Sequence, residues 1–440
     1  MGAALGSANF KHEFVRSKVA EWIAQVHKLS SFAITQPHAA FSAFTHNLQA
    51  RWSYVSRTIP GAGELFSDLE NSSSPFSPAL LGRPVSDDER ELLSIPARFG
   101  GMGISNPSSL APFSLELSRE LCLPLMRLVL RQADDFDPSE LRQDQNNIKA
   151  KQELDREEHW KRATEAIILK APPSTQKAIR EAREKVASNW VTTHPLDSHH
   201  TILHKGDFRD AVFIRYNWQP PFLPDTCCCG ANFSLQHALD CQTGGYRTLQ
   251  HDEVKQVVAE LLKEAHFAGV EIEPRLQPLS GESFLLKSVN KDDEARSDVK
   301  CLGFWTRYRW AYFDIKVVSP FAKSYSHLPT TKLLTQSEQS KIRQYAARIR
   351  GVEHADFSPL AFTTTGAMGP RAQQIFKRIC EKIAGIKEIP YSVVSGWMRT
   401  RFSFALLRTT LICLRGTRKK RDKPGKPHID LAVAEADISF

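Results

Sequence analysis

The sequence predicts a multidomain protein with an α-helical N-terminal half, a small zinc knuckle and a C-terminal α/β region. Three observations lead to this prediction. Apolar residues recur at helical spacing over most of the first 130 residues, Cys and His residues then cluster at the spacing of zinc ligands, and strand-like segments follow. The predicted boundaries are 1–130 for the helical region, 131–226 for a charged helical linker with a short amphipathic helix, 227–245 for the knuckle, 246–390 for the α/β domain and 391–440 for a C-terminal helix with a basic tail.

Length and composition indicate a folded, intracellular protein. A chain of 440 residues is too long for a single core, and 41% hydrophobic with 24% charged residues is typical of globular domains. No window reaches the roughly 20 apolar residues that a membrane span requires, and the first residues lack an apolar signal core. The cysteines include four that are scattered singly, which argues against a disulfide framework. We therefore expect no membrane partner.

The charge is unevenly distributed. The net charge is +9, and the excess is concentrated in RGTRKKRDKPGK, from Arg415 to Lys426. Clustered Lys and Arg favour a polyanionic partner, and for the tail by itself a merely solvated basic surface is the alternative.

The first half reads as helices. Apolar residues recur at spacings of three and four in FVRSKVAEWIAQVHKL and in LSRELCLPLMRLVLRQ, and RWSYVSRTIP lies between these segments. The segment from Pro138 to Ser188 is rich in charge and poor in aromatic residues, which predicts long exposed helices or a helical linker. The stretch GDFRDAVFIRYNWQPPFLP predicts a short amphipathic helix that ends at the prolines 220 and 221.

The stretch TCCCGANFSLQHALDC has the composition of a zinc site. Cys227, Cys229, His237 and Cys241 form a C-x-C-x7-H-x3-C array, whose three thiolates and one imidazole suit tetrahedral zinc. Gly230 permits the tight turn, and QHALDC predicts a helical turn. Cys228 is an alternative ligand, and a chance cluster of cysteines beside a surface histidine is the alternative to a metal site.

From Tyr246 onward the pattern changes to mixed α and β. A helix is predicted over HDEVKQVVAELLKEA, followed by strands over VEIEPRL, ARSDVKCLGFW and AYFDIKVV. A helix from Thr331 to Arg350, a strand over PLAFTTT and a helix over GPRAQQIFKRICEKIAGI complete the order α-β-β-β-α-β-α.

Two charges interrupt the apolar pattern of AYFDIKVV. Asp314 and Lys316 alternate with apolar residues, so both project from one face of the strand, where they require a partner or a function. Hydrolysis of a phosphodiester needs oxygen ligands that hold Mg²⁺ and a cation that acts on the attacking water. Asp298 ends the preceding strand and could share a metal with Asp314, while Glu253 on the helix is a possible further ligand. A cross-strand salt bridge is the alternative.

The run from Asp298 to Lys316, set within α-β-β-β-α-β, resembles the PD-(D/E)XK restriction-endonuclease-like core. With the preceding Cys and His array, the order resembles the C-terminal region of non-LTR (LINE-type) retrotransposon polyproteins that carry a restriction-enzyme-like endonuclease. The segments that carry the resemblance are CCCGANFSLQHALDCQTGGYRTLQHDEV, RWSYVSRTIP, IPARFGGMGISNPS and GDFRDAVFIRYNWQP. The resemblance itself covers nearly the whole chain from about Phe41 onward.

The resemblance implies roles for individual residues. Asp298 and Asp314 would be ligands of Mg²⁺ or Mn²⁺, Lys316 the catalytic lysine and Glu253 the helix acid. Lys341, or Arg343, with Tyr345 in SKIRQYAARIR is the nearest match to an accessory Lys/Tyr helix motif. Two departures are visible: Ser297 replaces the proline of the motif, and Asp314 replaces a Glu, which shortens the reach of the ligand.

The resemblance implies a metal-dependent DNA endonuclease that nicks target DNA in the nucleus, so that the new 3′ hydroxyl primes reverse transcription of the element's RNA. The Asp pairs at 87–88, 134–135 and 292–293 lack the aromatic-x-Asp-Asp context of a polymerase, so we expect no polymerase site and interpret the chain as a fragment or truncated copy. A catalytically inactive, zinc-dependent nucleic-acid-binding remnant and a scaffold protein are the alternatives.

Overall fold

The computed structural model describes residues 4–132, 137–221, 223–279 and 295–416. These residues form two compact units, one from the described parts of Met1–Arg183 and Val191–Trp218, the other from those of Glu184–Trp190 and Gln219–Phe440. The basic tail beyond residue 416 and the Asp pairs at 134–135 and 292–293 lie outside the described residues. No helix of the described part is long and apolar enough to span a bilayer.

The first unit is helical, as the sequence predicts. Its helices are α1 (Ala8–Ala33), α2 (Pro37–Ala43), α3 (Gln49–Thr58), α4 (Ser67–Ser73), α5 (Phe76–Leu81), α6 (Asp87–Ser94), α7 (Pro107–Leu130), α8 (Pro138–Lys170) and α9 (Pro173–Ala182). The short helix α10 (Asn189–Thr192) begins in the segment assigned to the second unit and ends in the first, and α11 (Lys205–Tyr216) belongs to the first unit. A π-helical turn, Phe44–Leu48, and short 3₁₀ turns complete it.

Capping and apolar spacing explain these helices. The hydroxyl of Ser7 accepts a hydrogen bond from the Phe10 N–H at 3.3 Å and so begins α1. Trp22 of α1 then packs edge-on against Trp52 of α3, with ring centroids 6.2 Å apart. The buried residues of α1 recur at three and four positions: Val15, Val19, Trp22 and Val26.

The pair Asp87–Asp88 has a helix-stabilising position. Both residues lie in the first turn of α6, after a capping box formed by Ser86 and Glu89. Carboxylates at a helix N-terminus interact favourably with the helix dipole. The position therefore explains this acidic pair without a catalytic role.

The second unit contains the predicted order α-β-β-β-α-β-α. Its elements are α12 (Leu235–Asp240), α13 (Tyr246–Glu264), β1 (Ala268–Ile272), β2 (Val299–Leu302), β3 (Trp310–Val318), α14 (Thr330–Lys341), a π-helical turn (Ile342–Ala346), α15 (Ala347–Gly351), β4 (Asp356–Thr363), α16 (Pro370–Lys387) and α17 (Tyr391–Gly416). The strand predicted over VEIEPRL ends early, at Ile272, because Glu273 has a φ of 54°, which leaves the extended conformation.

The four strands form one mixed sheet in the order β1-β2-β3-β4. The pairs β1–β2 and β2–β3 are antiparallel, and β3–β4 is parallel. Pro359 lies within β4, where its missing N–H is tolerated because β4 is an edge strand.

Helices cover both faces of this sheet. Phe313 and Ile315 of β3 belong to the core that α13, α16 and α17 share. On the opposite face, Tyr312 packs with Ile349 of α15 and Phe357 of β4. Asp314 and Lys316 alternate with Phe313 and Ile315 along β3. Their side chains therefore lie on the opposite face, which α14 and α15 cover.

Candidate active site and candidate metal centre

Strand register brings the two predicted carboxylates together. Val299 of β2 lies opposite Phe313 of β3, so Asp298 and Asp314 occupy the next facing positions. Asp298 is held in place: its Oδ2 accepts hydrogen bonds from the Ile315 N–H at 2.5 Å and from His251 Nε2 at 3.2 Å. The predicted pair is therefore a spatial pair.

Asp314 is buried and paired with a cation. Its side chain is 5% exposed, and the Nζ of Lys341, the last residue of α14, lies 2.7 Å from its Oδ2. Burial raises the pKa of Asp314 to about 6, the charge of Asp298 adds to this rise, and Lys341 opposes it. No other group of the described residues donates to this oxygen, so the Lys341 ammonium is its one polar partner there.

Lys316 does not form the salt bridge considered from the sequence. It is half-buried and makes no ion pair within the described residues, because Lys341 takes the position beside Asp314. Burial lowers the pKa of Lys316, and the charge of Lys341 lowers it further, while Asp314 acts in the opposite direction. The result is a lysine on the same strand face as the carboxylate, without a charge partner of its own.

The accessory pair predicted from SKIRQYAARIR is also placed here. The Nζ of Lys341 lies 5.3 Å from the ring centroid of Tyr345, which is part of the π-helical turn. Tyr345 in turn packs on Phe357 of β4, with ring centroids 5.9 Å apart. Arg343, the alternative to Lys341, is exposed and is not brought into this cluster. Turns of π-helix recur at functional sites because they turn side chains away from regular helical positions.

His251 completes the cluster and was missed from the sequence. Its Nε2 lies 3.2 Å from Asp298 Oδ2 and 3.2 Å from the carbonyl oxygen of Ile315, and its Nδ1 lies 3.4 Å from Asp252. Burial by itself would lower the pKa of His251, but the hydrogen bonds to Asp252 and Asp298 outweigh it and raise the pKa to about 9. The available signal was the pair His251–Asp252, which precedes Val254, the first apolar core residue of α13, by one intervening residue.

Glu253, the predicted helix acid, is not brought into the cluster. It is exposed and has no hydrogen bond or ion pair with Asp298 or Asp314 in the described part of the chain. Two residues correspond to about 200° around a helix, so Glu253 points away from the side that carries His251. The residue of α13 that contacts Asp298 is His251.

The second candidate site is the Cys and His cluster, which could hold zinc. One ligand atom from each of Cys227, Cys229, His237 and Cys241 lies within 4.8 Å of the others. The sulfurs of Cys227 and Cys241 are 3.8 Å apart, and Cys229 Sγ is 3.2 Å from His237 Nε2. Zinc–sulfur bonds of about 2.3 Å in a tetrahedron require sulfurs about 3.8 Å apart. The donor set and spacing therefore fit zinc.

Local structure explains this convergence. The Cys227 N–H donates to the Ala231 carbonyl at 2.8 Å, and Gly230, with φ of 88°, closes the turn. Ser234 caps α12 by accepting from the His237 N–H at 3.1 Å, and this places His237 in the first turn. Because α12 ends at Asp240, Cys241 follows it directly.

The structure also distinguishes between Cys227 and Cys228 as candidate zinc ligands. Cys227 and Cys241 are buried, and burial raises the pKa of both thiols, whereas the Ala231 N–H lowers the pKa of Cys229. Cys228 is outside the set of converging ligand atoms, although its sulfur lies 3.9 Å from that of Cys227. The geometry favours Cys227 as the ligand.

Neither a scan of the chain against protein-family models nor a search of the curated proteins finds a match. The interpretation of both sites therefore depends on their geometry and chemistry.

Proposed function

We propose that this protein is a metal-dependent DNA endonuclease of the PD-(D/E)XK type, derived from the C-terminal region of a non-LTR retrotransposon polyprotein. The observation that carries the proposal is that Asp298, just before β2, lies opposite Asp314 of β3, while Lys316 lies on the same face of β3 as Asp314. The order α-β-β-β-α-β and the mixed sheet support it, because the resemblance implies this order of elements.

The residues present fit a hard divalent cation. Asp298 and Asp314 are neighbouring carboxylates, and oxygen is the ligand that Mg²⁺ and Mn²⁺ prefer. Among the described residues the buried Oδ2 of Asp314 contacts only the Lys341 ammonium, a position that a divalent cation could take or share. Asp298 and Asp314 would hold the ion, which would neutralise charge on the phosphate and lower the pKa of a bound water.

The chain's own residues would then act as follows. Lys316, without a carboxylate partner, would orient the attacking water and stabilise the developing negative charge on the phosphate. His251 would fix the orientation of Asp298, because it contacts both that carboxylate and the backbone of β3. Lys341 would leave Asp314 or share it with the metal, since its 2.7 Å contact lies at the proposed ligand atom.

The zinc cluster and the net charge of +9 are consistent with a protein that binds DNA, and element RNA, in the nucleus. One observation favours the alternative function of a catalytically silent nucleic-acid-binding protein. The Lys341–Asp314 ion pair already neutralises the central carboxylate. In such a protein the pair would be a permanent structural contact and no metal would replace it.

A plasmid-nicking assay tests the proposal. Supercoiled plasmid is incubated with the wild type, Asp314→Asn, Lys316→Ala and the control Lys332→Ala, an exposed lysine of α14, with Mg²⁺ or Mn²⁺ or with a chelator. We expect nicking by the wild type and the control only with metal, and losses of several orders of magnitude in the other two variants while DNA binding is retained. A folded wild type that never nicks DNA with either ion would refute the nuclease.

A further inference from the structure

The loop between β2 and β3 presents an exposed basic and aromatic tip. Residues 306–310 are all exposed, and Tyr308 is 76% exposed. The base of the loop is well fixed: Phe304 is fully buried, and Trp305 Nε1 donates to Ser358 Oγ at 2.9 Å. The Gly303 N–H donates to the Arg309 carbonyl at 2.8 Å and closes the loop. A rigid base therefore holds a solvent-facing tip.

Tyr308 occupies this tip at a conformational cost. Its φ is 63°, in the left-handed region that glycine adopts freely and that large side chains adopt rarely. Burial of the ring does not offset this cost, because most of the ring faces solvent. Among the described residues the Arg307 guanidinium lies over the ring, 4.8 Å from its centroid. A glycine would adopt this backbone conformation at lower cost, so the fold itself does not require the aromatic ring of Tyr308.

Positive charge surrounds the tip. Lys300 lies over the Trp310 ring at 5.0 Å, and Arg378 of α16 lies over the rings of Phe304 and Trp305 at 5.6 and 5.5 Å. Lys300 and Arg309 each have a carboxylate partner, Glu271 and Asp356. Arg307 and Arg378 have ring contacts and no ion pair within the described ranges, so the surface carries excess positive charge.

We propose that this hairpin tip binds DNA by stacking an unpaired base on the ring of Tyr308 while Arg307 contacts the adjacent phosphate. Aromatic rings beside cations bind single-stranded nucleic acid in this way, because every base has a flat face and every phosphate a negative charge. In a fully paired duplex the base faces are covered by their neighbours, so the ring requires an unpaired base. The inference rests on the proposed function in that the ligand is the DNA substrate.

The position of the hairpin fits this role. Trp310 and Asp314 are four residues apart on β3, so their side chains lie on the same strand face, about 13 Å apart along the strand. This length corresponds to about four nucleotide steps of DNA. The tip would therefore contact the substrate four or more nucleotides from the bond that is cut.

A binding experiment in a chelator tests the inference without catalysis. The probes are a fully paired duplex and the same duplex with a three-nucleotide bubble that contains 2-aminopurine. The proteins are the wild type, Tyr308→Gly, Tyr308→Phe and the control Tyr391→Ala, an exposed tyrosine at the start of α17. We expect Tyr308→Gly to lose about 5- to 150-fold in affinity for the bubble and to lose quenching of the 2-aminopurine fluorescence. Tyr308→Phe and the control should bind as the wild type does.

The glycine variant separates binding from folding. Because glycine is favoured at a φ of 63°, Tyr308→Gly should melt at the same or a higher temperature than the wild type. Unchanged bubble affinity in Tyr308→Gly, or an equal loss of affinity for the paired duplex, would overturn the stacking proposal. The binding experiment contains no metal, so its outcome is independent of catalysis. If bubble binding depends on the Tyr308 ring but the plasmid assay never shows nicking, the endonuclease proposal fails and the stacking proposal stands.

Discussion

The ion pair between Lys341 and Asp314 allows a prediction about stability in the absence of metal. Replacing Lys341 by Met keeps the length of the side chain and removes the cation that lies 2.7 Å from a buried carboxylate. At an effective dielectric constant of about 20, the attraction at this distance is about 6 kcal/mol, and removing one partner of a buried pair typically costs about 3–5 kcal/mol. This cost assumes that Asp314 remains charged.

Asp314 can avoid most of this cost by taking up a proton. Because its pKa is already about 6, protonation at pH 7 costs only about 1.4 kcal/mol. The cost rises by about 1.4 kcal/mol for each further pH unit, and reaches about 4 kcal/mol at pH 9. The wild type should show no such trend between pH 7 and 9, because its Asp314 is ionised above its pKa of about 6 and the pKa of Lys341 is raised.

Thermal and urea unfolding in a chelator at pH 7, 8 and 9 measure this difference. We expect Lys341→Met to melt about 3–6 °C below the wild type at pH 7 and roughly three times further below it at pH 9. The exposed control Lys332→Met should match the wild type, and Asp314→Asn added to Lys341→Met should restore stability at pH 9. Mg²⁺ should raise the melting temperature of Lys341→Met more than that of the double variant. A difference from the wild type that does not grow with pH would refute this reasoning.

Two further predictions concern the zinc cluster and the helical unit. We expect elemental analysis to find one zinc ion per chain in the wild type. Cys241→Ser should lose this ion and Cys228→Ser should retain it, because Cys241 belongs to the converging ligand set and Cys228 does not. Loss of zinc in Cys228→Ser with retention in Cys241→Ser would contradict the assigned ligands. His38 is buried, its Nδ1 accepts from the Leu203 N–H at 3.0 Å, and burial lowers its pKa from 6.5 to about 4. Between pH 6.5 and pH 4, His38 is protonated in the unfolded chain but neutral in the folded chain. The free energy of unfolding should therefore fall by about 3 kcal/mol as the pH drops from 6.5 to 4. In His38→Asn, which keeps an acceptor but cannot titrate, urea unfolding should show this pH dependence reduced by that amount.

Several features followed from local pattern. The alternation in AYFDIKVV put Asp314 and Lys316 on one face of a strand, and β3 spans Trp310–Val318 as expected. The array C-x-C-x7-H-x3-C gave four ligands that meet in space, because a tight turn and one helical turn bring them together within 15 residues. Such features depend on neighbours in sequence, and local periodicity and turn chemistry therefore predict them.

The tertiary structure decided the remaining features, because they depend on contacts between distant segments. The register of β2 against β3 placed Asp298 beside Asp314, and α14 supplied Lys341 as the partner of Asp314 in place of Lys316. His251 reaches Asp298 across 47 residues, while the nearby Glu253 faces solvent. Strand register and helix rotation are fixed by the packing of whole faces against a common core, and a local sequence pattern contains no information about which distant face it will meet.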